Sequence, residues 1–185
     1  MKNKAGTILM IIGIVLLIAA VLLFTYNRKE DRRAKMEAEK MLSSFDSEML
    51  ANTGMDEIEI NGKTYMGELI VPDLGLELPV LSQWSYENLL NAPCRYAGSL
   101  RNSDLVIMAH NYSSHFGRLY TLSQGSDVYF KGVSGETTAF ELASIEILNP
   151  DQVEEMCSED YPLTLFTCTY GGRTRVTLRC RYRND

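Results

Sequence analysis

The reactive side chains of this 185-residue chain are few, with four cysteines and two histidines. A cysteine thiolate is a strong nucleophile, and it normally works with a histidine as its proton partner. The most informative stretch is 164–180, TLFTCTYGGRTRVTLRC, which carries Cys168 among alternating residues. The histidines are His110 and His115. Cys168 with one of these two histidines is therefore the candidate pair for nucleophilic catalysis.

The glycine pair Gly171-Gly172 predicts a two-residue β-hairpin with a primed turn, because it separates two runs of alternating residues. Such a turn fixes which residues face each other across the two strands, with their Cβ atoms about 5 Å apart. The pairs that it predicts are Tyr170 with Arg173, Thr169 with Thr174, and Cys168 with Arg175.

The alternation in this hairpin predicts two faces of different chemistry. One face carries Cys168 and Phe166 together with the arginines Arg173, Arg175 and Arg179. A cationic neighbour favours the thiolate form of a cysteine, and a guanidinium can also hold an acyl oxyanion. Cys168 is therefore predicted to lie off the main core, beside one or two guanidiniums. The other face has a core pattern and comprises Leu163, Leu165, Thr167, Val176, Leu178 and Cys180.

His110 is the histidine that a strand would present. It ends the apolar run 105–109, which predicts a buried strand carrying His110 to its rim. His115 lies five residues further on, in a segment with the composition of a loop. Taken singly, either histidine fits a structural or solvent-exposed role. A strand end positions a side chain better than a loop does, so His110 is the preferred partner of Cys168.

The other three cysteines are predicted to be small buried hydrophobes, namely Cys94, Cys157 and Cys180. No two cysteines stand in a C-x-x-C arrangement, so the sequence does not predict a cysteine metal site. A disulfide between Cys157 and Cys180 stays open as an alternative.

The region from Ile58 onward predicts many short strands. Apolar or alternating runs are broken there by Gly, Pro, Asn and Asp, and only 85–91 and 151–157 predict short helices. Many strands with few helices favour a closed or nearly closed β-barrel, or a sandwich.

The N-terminal region predicts a membrane anchor and a linker. Residues 5–26 carry no charge, and these 22 residues would span about 33 Å as a helix, enough for a hydrocarbon core of about 30 Å. We expect an uncleaved transmembrane anchor in 1–27, with a cleaved signal peptide as the alternative. Residues 28–54 predict a juxtamembrane helical linker that ends at Gly54 and acts as a semi-rigid spacer, with docking on the domain left open. Residues 55–185 form the predicted extramembrane domain.

The charge of the chain is distributed unevenly. Residues 55–185 carry 10 Lys/Arg and 18 Asp/Glu, and this acidity argues against nucleic acid as a partner. The C-terminal arginines are predicted to line a solvated strand face. Five Lys/Arg in 28–35 outnumber the two lysines before the apolar span, so the positive-inside rule would leave the domain in the cytoplasm.

Three stretches in this order resemble the sortases, the membrane-anchored cysteine transpeptidases of Gram-positive bacteria. The resemblance covers 67–182. Residues 67–80, GELIVPDLGLELPV, look like the opening strand pair of the family. Ala97-Gly-Ser followed by 105–111, LVIMAHN, looks like its histidine strand, and 164–169, TLFTCT, looks like its cysteine motif.

The resemblance implies a closed eight-stranded sortase-type β-barrel with short helices, preceded by an N-terminal transmembrane helix. It implies that Cys168 is the nucleophile, His110 the catalytic histidine and Arg175 the essential arginine, with Arg173 as the competitor. Thr167 is a weaker candidate for contacts with the oxyanion or the substrate, because its face is predicted to point toward the core.

The implied reaction cleaves a C-terminal sorting motif of a surface protein and forms a thioester on the enzyme. An amine, usually of a cell-wall precursor, then takes the acyl group. The implied partners are these surface proteins, the amine and the membrane, which the chain crosses once. Since both substrates lie outside the cell, the resemblance implies an extracellular domain, against the Lys/Arg count.

No cofactor is implied as a requirement. The acidic stretch 151–160 offers oxygen ligands for Ca²⁺, although a solvated acidic loop is the preferred interpretation. Three rival functions stay open: a membrane-tethered cysteine hydrolase that would use the same residues, a pilin-polymerising sortase, and a non-catalytic anchored β-domain in which Cys168 would be an unreactive, buried thiol. The sequence has no Asp-Pro-aromatic motif in 27–60, which weakens the pilin-polymerising alternative.

Overall fold

A computed structural model describes residues 4–49 and 56–184 and divides the chain into two compact units, one before Ala34 and one from Ala34 onward. Helix α1 covers Lys4–Met49. The apolar side chains of the first unit are exposed, and within the described ranges this is the one helix long and apolar enough to cross a membrane. The helix stop that we predicted at Gly54 lies outside the described residues.

The second unit contains a closed β-barrel. The sheet order is β1-β2-β3-β4-β5-β8-β9-β7-β6, and a further pairing of β2 with β6 closes the ring. Eight strands form this ring, and β1 adds to β2 from outside as a hairpin, so the prediction of an eight-stranded barrel is confirmed. The strands are β1 (Ile58–Ile60), β2 (Lys63–Val71), β3 (Leu76–Leu81), β4 (Cys94–Ala97), β5 (Leu105–Met108), β6 (Asp127–Gly132), β7 (Thr137–Leu148), β8 (Leu163–Cys168) and β9 (Arg175–Tyr182).

Two short helices lie where the sequence predicted them. Helix α2 (Tyr86–Leu89) begins after Ser85, whose side chain accepts a hydrogen bond from the Asn88 N–H and so caps the first turn. Helix α3 (Val153–Met156) lies in the connection between β7 and β8.

The barrel interior holds the main hydrophobic core. Alternate residues of each strand point inward, as the period of two in the sequence predicts. The core face that we predicted for the β8–β9 hairpin is confirmed, because its aliphatic residues are buried in this cluster. Large side chains from six strands fill the interior: Leu69, Ile107, Phe130, Phe140, Leu165 and Leu178.

Gly67 allows the barrel to close. It lies on β2 where that strand pairs with both β3 and β6, next to a bulge between Tyr65 and Gly67. A Cβ atom on Gly67 would lie 2.5 Å from the backbone oxygen of Lys131 on β6. The two strands can approach this closely only because the position carries no side chain.

The end of α1 that belongs to the second unit packs on the barrel. Ala34 and Ala38, one helical turn apart, are buried, and Ala38 belongs to the main core cluster. Met41 follows on the same side, where the Tyr65 hydroxyl lies 3.0 Å from its sulfur atom. The small alanine side chains bring the helix close to the sheet. We preferred a semi-rigid spacer, and this was wrong for this part of the helix. It docks on the domain, which was the alternative that the sequence left open.

Candidate active site

Cys168 and Arg175 face each other at the loop end of the β8–β9 hairpin. Cys168 is the last residue of β8, Arg175 is the first residue of β9, and their Cα atoms are direct partners in the antiparallel register. The predicted register is therefore confirmed. Both side chains are half-buried, so they remain accessible from solvent at this edge of the barrel.

The turn that produces this register differs from our prediction. The Gly172 N–H donates to the Thr169 carbonyl, and the Thr169 N–H donates to the Thr174 carbonyl, so 170–173 form a four-residue loop. Both glycines have positive φ, 82° at Gly171 and 71° at Gly172, which glycine adopts without the strain of a Cβ atom. A two-residue and a four-residue loop share one centre, so the register was right although the predicted turn was wrong.

His110 reaches the same edge through the neighbouring strand on the other side of β8. Strands β5 and β8 run parallel, and Met108 pairs with Phe166. The Ala109 N–H donates to the Phe166 carbonyl at 3.2 Å, which extends the ladder beyond the end of β5. The same register, continued by two residues, sets His110 beside Cys168. Parallel strands end at the same edge, so the two candidate residues come together there.

Thr167 ties the ends of these two strands together. Its side chain is only 3% exposed, and its hydroxyl donates to the Ala109 carbonyl at 2.8 Å. The next residue along that strand is His110, whose own carbonyl accepts a hydrogen bond from the Phe116 N–H at 3.2 Å. Thr167 faces the core side of its strand, as its position in the alternation predicted.

The two histidines occupy different surroundings. His110 is half-buried, and its burial lowers its pKa below the ordinary value of 6.5, because desolvation disfavours the imidazolium. His115 is fully buried. The rings of both contact Tyr112, with centroid distances of 4.9 Å for His110 and 5.6 Å for His115. Of the two, His110 is therefore the histidine that solvent and substrate can reach.

The two arginines of the hairpin also differ in position. Arg175 is half-buried at the end of β9, and its Nη1 donates to the carbonyls of Gly172 and Thr174 at 3.1 and 3.2 Å. Arg173 is exposed within the loop 170–173. The guanidinium of Arg175 is thus held by its own hairpin on the strand position opposite Cys168.

The remaining cysteines lie in surroundings that keep a thiol protonated. All four cysteines are free, so the disulfide that the sequence left open is not formed in this structure. Burial raises the pKa of the Cys94 and Cys180 thiols to about 12, and it also raises the pKa of Cys157. Cys168 is half-buried at the end of β8.

Cys168 borders one open cavity and lies near a hydrophobic cluster on its other side. On one side lies an open cavity of about 460 Å³, lined by Cys168, Thr167 and Tyr170 of the hairpin and by Asn111 and Gly117 of the loop after His110. On the other side, a second hydrophobic cluster contains Phe166, two residues before Cys168. Tyr96 packs edge-on against Phe166, with ring centroids 5.2 Å apart. A peptide bound in the cavity would have the sulfur atom within reach.

Sequence reasoning missed the burial of Arg179. We predicted a solvated face for the C-terminal arginines, and Arg181 near the end of β9 and Arg183 just after it are exposed. Arg179 is only 2% exposed, because the β7–β8 connection folds over it. Alternation correctly assigned its face, but nothing local in the sequence signals the segment that covers this face.

The acidic stretch 151–160 has little cation-binding geometry. In the part of the chain that the structure describes, no three His, Cys, Asp or Glu side chains are grouped closely enough to hold a metal ion. Some polar groups of the stretch bond within it instead, such as the Ser158 hydroxyl, which donates to Asp160 at 2.9 Å.

Comparison with known proteins identifies the family. The model of the sortase domain matches residues 69–182, which is more than half of the chain and includes the whole edge described above. This chain belongs to the sortase family. Sortase A of Staphylococcus aureus (strain NCTC 8325 / PS 47) is 25% identical over 194 aligned positions, covering 95% of this chain and 94% of that protein.

Solved sortase structures share the fold. Sortase A from Corynebacterium diphtheriae superposes with a TM-score of 0.58 at 19% identity, covering 66% of this chain and 62% of that one. Sortase C of Streptococcus pneumoniae superposes with a TM-score of 0.59 at 21% identity, covering 65% of this chain and 67% of that one. The chain thus spans less than two thirds of the Corynebacterium sortase. The likeness of both to this barrel is a likeness of fold.

Proposed function

We propose that this sortase is a membrane-anchored cysteine transpeptidase that cuts a C-terminal sorting motif of surface proteins and transfers the new carboxyl end to an amine. The proposal is supported by one observation above all: a free, half-buried Cys168 ends β8, and its neighbours are His110 on the parallel side and Arg175 on the antiparallel side. Nucleophile, proton carrier and fixed cation therefore share one edge.

In the first step His110 takes the proton of the Cys168 thiol, and the resulting thiolate attacks the carbonyl carbon of the scissile peptide bond. A C–S bond forms, and the carbonyl oxygen becomes an oxyanion that Arg175 stabilises through its guanidinium N–H groups. When the intermediate collapses, the C–N bond breaks. His110, as imidazolium, gives its proton to the departing amine, and a thioester remains on Cys168.

In the second step an incoming amine attacks the thioester. His110, now neutral, takes the proton of the amine, the C–S bond breaks, and Cys168 leaves as thiolate. The lowered pKa of His110 supports this step, because it keeps the imidazole neutral and basic near pH 7. The new peptide bond conserves the number of peptide bonds, so no cofactor is needed, and we expect activity without Ca²⁺.

In our proposal Thr167 supports the site from the core side of β8 and does not contact the reacting atoms. Its hydroxyl is bonded to the Ala109 carbonyl, so it holds the strand end that carries His110 rather than contacting the oxyanion. Arg173 is the competing arginine, and its exposed position in the loop supports Arg175 for the oxyanion role.

We propose that α1 anchors the enzyme and that the barrel lies outside the cell. The apolar exposed helix supports the anchor. The orientation follows from the substrates, since surface proteins and cell-wall amines meet on the outer side of the membrane. Protease added to intact cells should degrade the barrel, whereas a barrel protected until the cells are lysed would overturn this orientation.

Mass spectrometry of a trapped acyl-enzyme tests the proposal. The full chain in detergent micelles is mixed with a library of candidate sorting peptides, and a covalent adduct is expected on Cys168. Cys168→Ala should form no adduct, and Cys157→Ala serves as the matched control that keeps it. A library that labels no cysteine, or labels another one, would contradict the assignment.

The amine then distinguishes transpeptidase from hydrolase. Adding a short peptide amine should yield a ligated product in place of the free acid. Supplying a lysine side-chain amine as well tests the pilin-polymerising alternative, which requires transfer to lysine. If neither amine changes the product, the enzyme is a hydrolase and the transfer step is refuted.

A further inference from the structure

Arg179 is a buried cation at some distance along β9 from the arginine assigned to the reaction. Its side chain is 3% exposed, and its guanidinium N–H groups are bonded on all sides. Nε donates to Glu146 at 3.0 Å, Nη1 to the Met156 carbonyl at 3.1 Å and to the Thr164 hydroxyl at 3.2 Å, and Nη2 to the Glu155 carbonyl. A buried charge persists in a protein only when it is bonded in this way.

These bonds join the three strands and the helix around the β7–β8 connection, residues 149–162. Glu146 lies on β7 before the connection, Glu155 and Met156 belong to α3 within it, and Thr164 lies on β8 after it. The Tyr161 ring lies 5.4 Å from the guanidinium carbon, so the returning end is also held. One side chain of β9 therefore fixes both ends and the middle of this connection.

The connection in turn forms one wall beside the nucleophile. Met156 is 2% exposed and packs in the cluster with Val106 and Phe166. Phe166 lies two residues before Cys168 on the same face of β8. Because Arg179 holds the backbone carbonyl of Met156 itself, the position of this wall depends directly on the guanidinium.

We propose that Arg179 is a positioning residue for substrate binding, which fixes the β7–β8 connection as a wall of the peptide groove beside Cys168. This inference rests on the proposed function for its substrate. The planar guanidinium is essential to the role, since a lysine ammonium offers three donors from one point and cannot reach four differently placed acceptors at once. Arg179 contacts no reacting atom and acts through the connection.

Two readouts on the full chain in detergent micelles test the proposal. Arg179→Lys keeps the positive charge and removes the planar guanidinium. Arg181→Lys on the same strand is the matched control, since Arg181 is exposed and pairs with Glu141. Hydrogen exchange measured by mass spectrometry should accelerate about tenfold or more in 151–161, as expected when charge-assisted hydrogen bonds are lost. Exchange in β2 and β6 should stay unchanged, and the control should change neither region.

Kinetics supply the second readout. With a sorting peptide, Arg179→Lys should raise KM about tenfold and leave kcat within about twofold, because the binding wall is loosened while the reacting groups stay in place. Should the lysine variant fail to fold, Glu146→Gln removes only the negative charge of the half-exposed partner, and we expect the same changes at about twofold to threefold.

The outcomes are separable. Unchanged exchange in 151–161 for Arg179→Lys would show that Arg179 does not fix the connection, whether or not any peptide is turned over. Faster exchange with unchanged KM would overturn the role in substrate binding. If the wild-type chain turns over no peptide, the proposed function fails, and the exchange comparison still decides whether Arg179 fixes the connection.

Discussion

The hydrogen bond from Thr167 to the Ala109 carbonyl offers a direct test of how the site is held together. Replacing threonine by valine keeps the shape of the side chain and removes only the hydroxyl. The bond is 2.8 Å long and buried, so its loss leaves the Ala109 carbonyl without this donor. Removing one partner of a buried hydrogen bond costs about 1–3 kcal/mol of unfolding free energy.

Thr177 provides the matched control. It is also fully buried, on the neighbouring strand, but its hydroxyl oxygen has no hydrogen-bond partner among the residues that the structure describes. Thr177→Val therefore removes a buried polar group that gains nothing from its surroundings, and it should be neutral or stabilising by up to about 1 kcal/mol.

Urea unfolding monitored by Trp84 fluorescence measures both variants. Trp84 is the single tryptophan of the chain and lies in the barrel unit, so its signal reports the barrel rather than the apolar helix. With a denaturant slope of about 2 kcal/mol per molar urea, Thr167→Val should lower the midpoint by about 0.5–1.5 M. Thr177→Val should leave the midpoint unchanged or raise it.

Activity should follow the same order. His110 is the residue after Ala109, and a shift of about 1 Å at a reacting group costs about a hundredfold in rate. We expect kcat/KM of Thr167→Val to fall tenfold to a hundredfold. Equal midpoints for the two variants would refute the structural role of Thr167. A stable Thr167→Val with strongly reduced kcat would instead indicate that its hydroxyl contacts the substrate.

Three further predictions concern charge. Arg175→Ala should reduce kcat/KM far more than Arg173→Ala, because only Arg175 lies opposite Cys168; the reverse order would contradict the oxyanion assignment. Burial lowers the pKa of His110 in the folded state, so the unfolded chain binds a proton first as pH falls through about 6.5. The unfolding free energy of the wild type should therefore decrease below that pH more than that of His110→Gln, and parallel curves would contradict the shift. Finally, EDTA should leave turnover unchanged, and stimulation by added Ca²⁺ would show that the acidic stretch 151–160 binds a cation when the substrate is present.

The hairpin illustrates what local sequence determines. Two glycines with strand-like residues on both sides fix the centre of the loop, and the centre alone decides that Cys168 faces Arg175. The turn type was wrong, because the hydrogen bonds at the loop depend on how Thr169 and Thr174 pair. Register was therefore easier to predict than the conformation that produces it.

The pairing of β5 with β8 was beyond local sequence patterns. His110 and Cys168 are 58 positions apart, and the parallel pairing between their strands depends on the whole barrel. The residues favoured His110 as the partner of Cys168 because it ends a predicted strand, and the resemblance to a family assigned both to one site. Neither predicted that β5 and β8 pair directly. Arg179 was missed for a related reason, since burial of its face requires a segment from another part of the chain.

The geometry of the whole candidate site depends on the register of strand β8. Its last residue, Cys168, is the nucleophile of our proposal. Its parallel neighbour β5 leads to His110, and its antiparallel neighbour β9 begins with Arg175. A slip of β8 by one residue would turn Cys168 to the core face and bring Thr167 outward, because successive side chains alternate. The buried core residues of β8, Leu163 and Leu165, oppose such a slip, since it would expose both to the outer face. Burial of these core residues therefore fixes the register of β8, and this register keeps Cys168 between the strand end that leads to His110 and the strand that begins with Arg175.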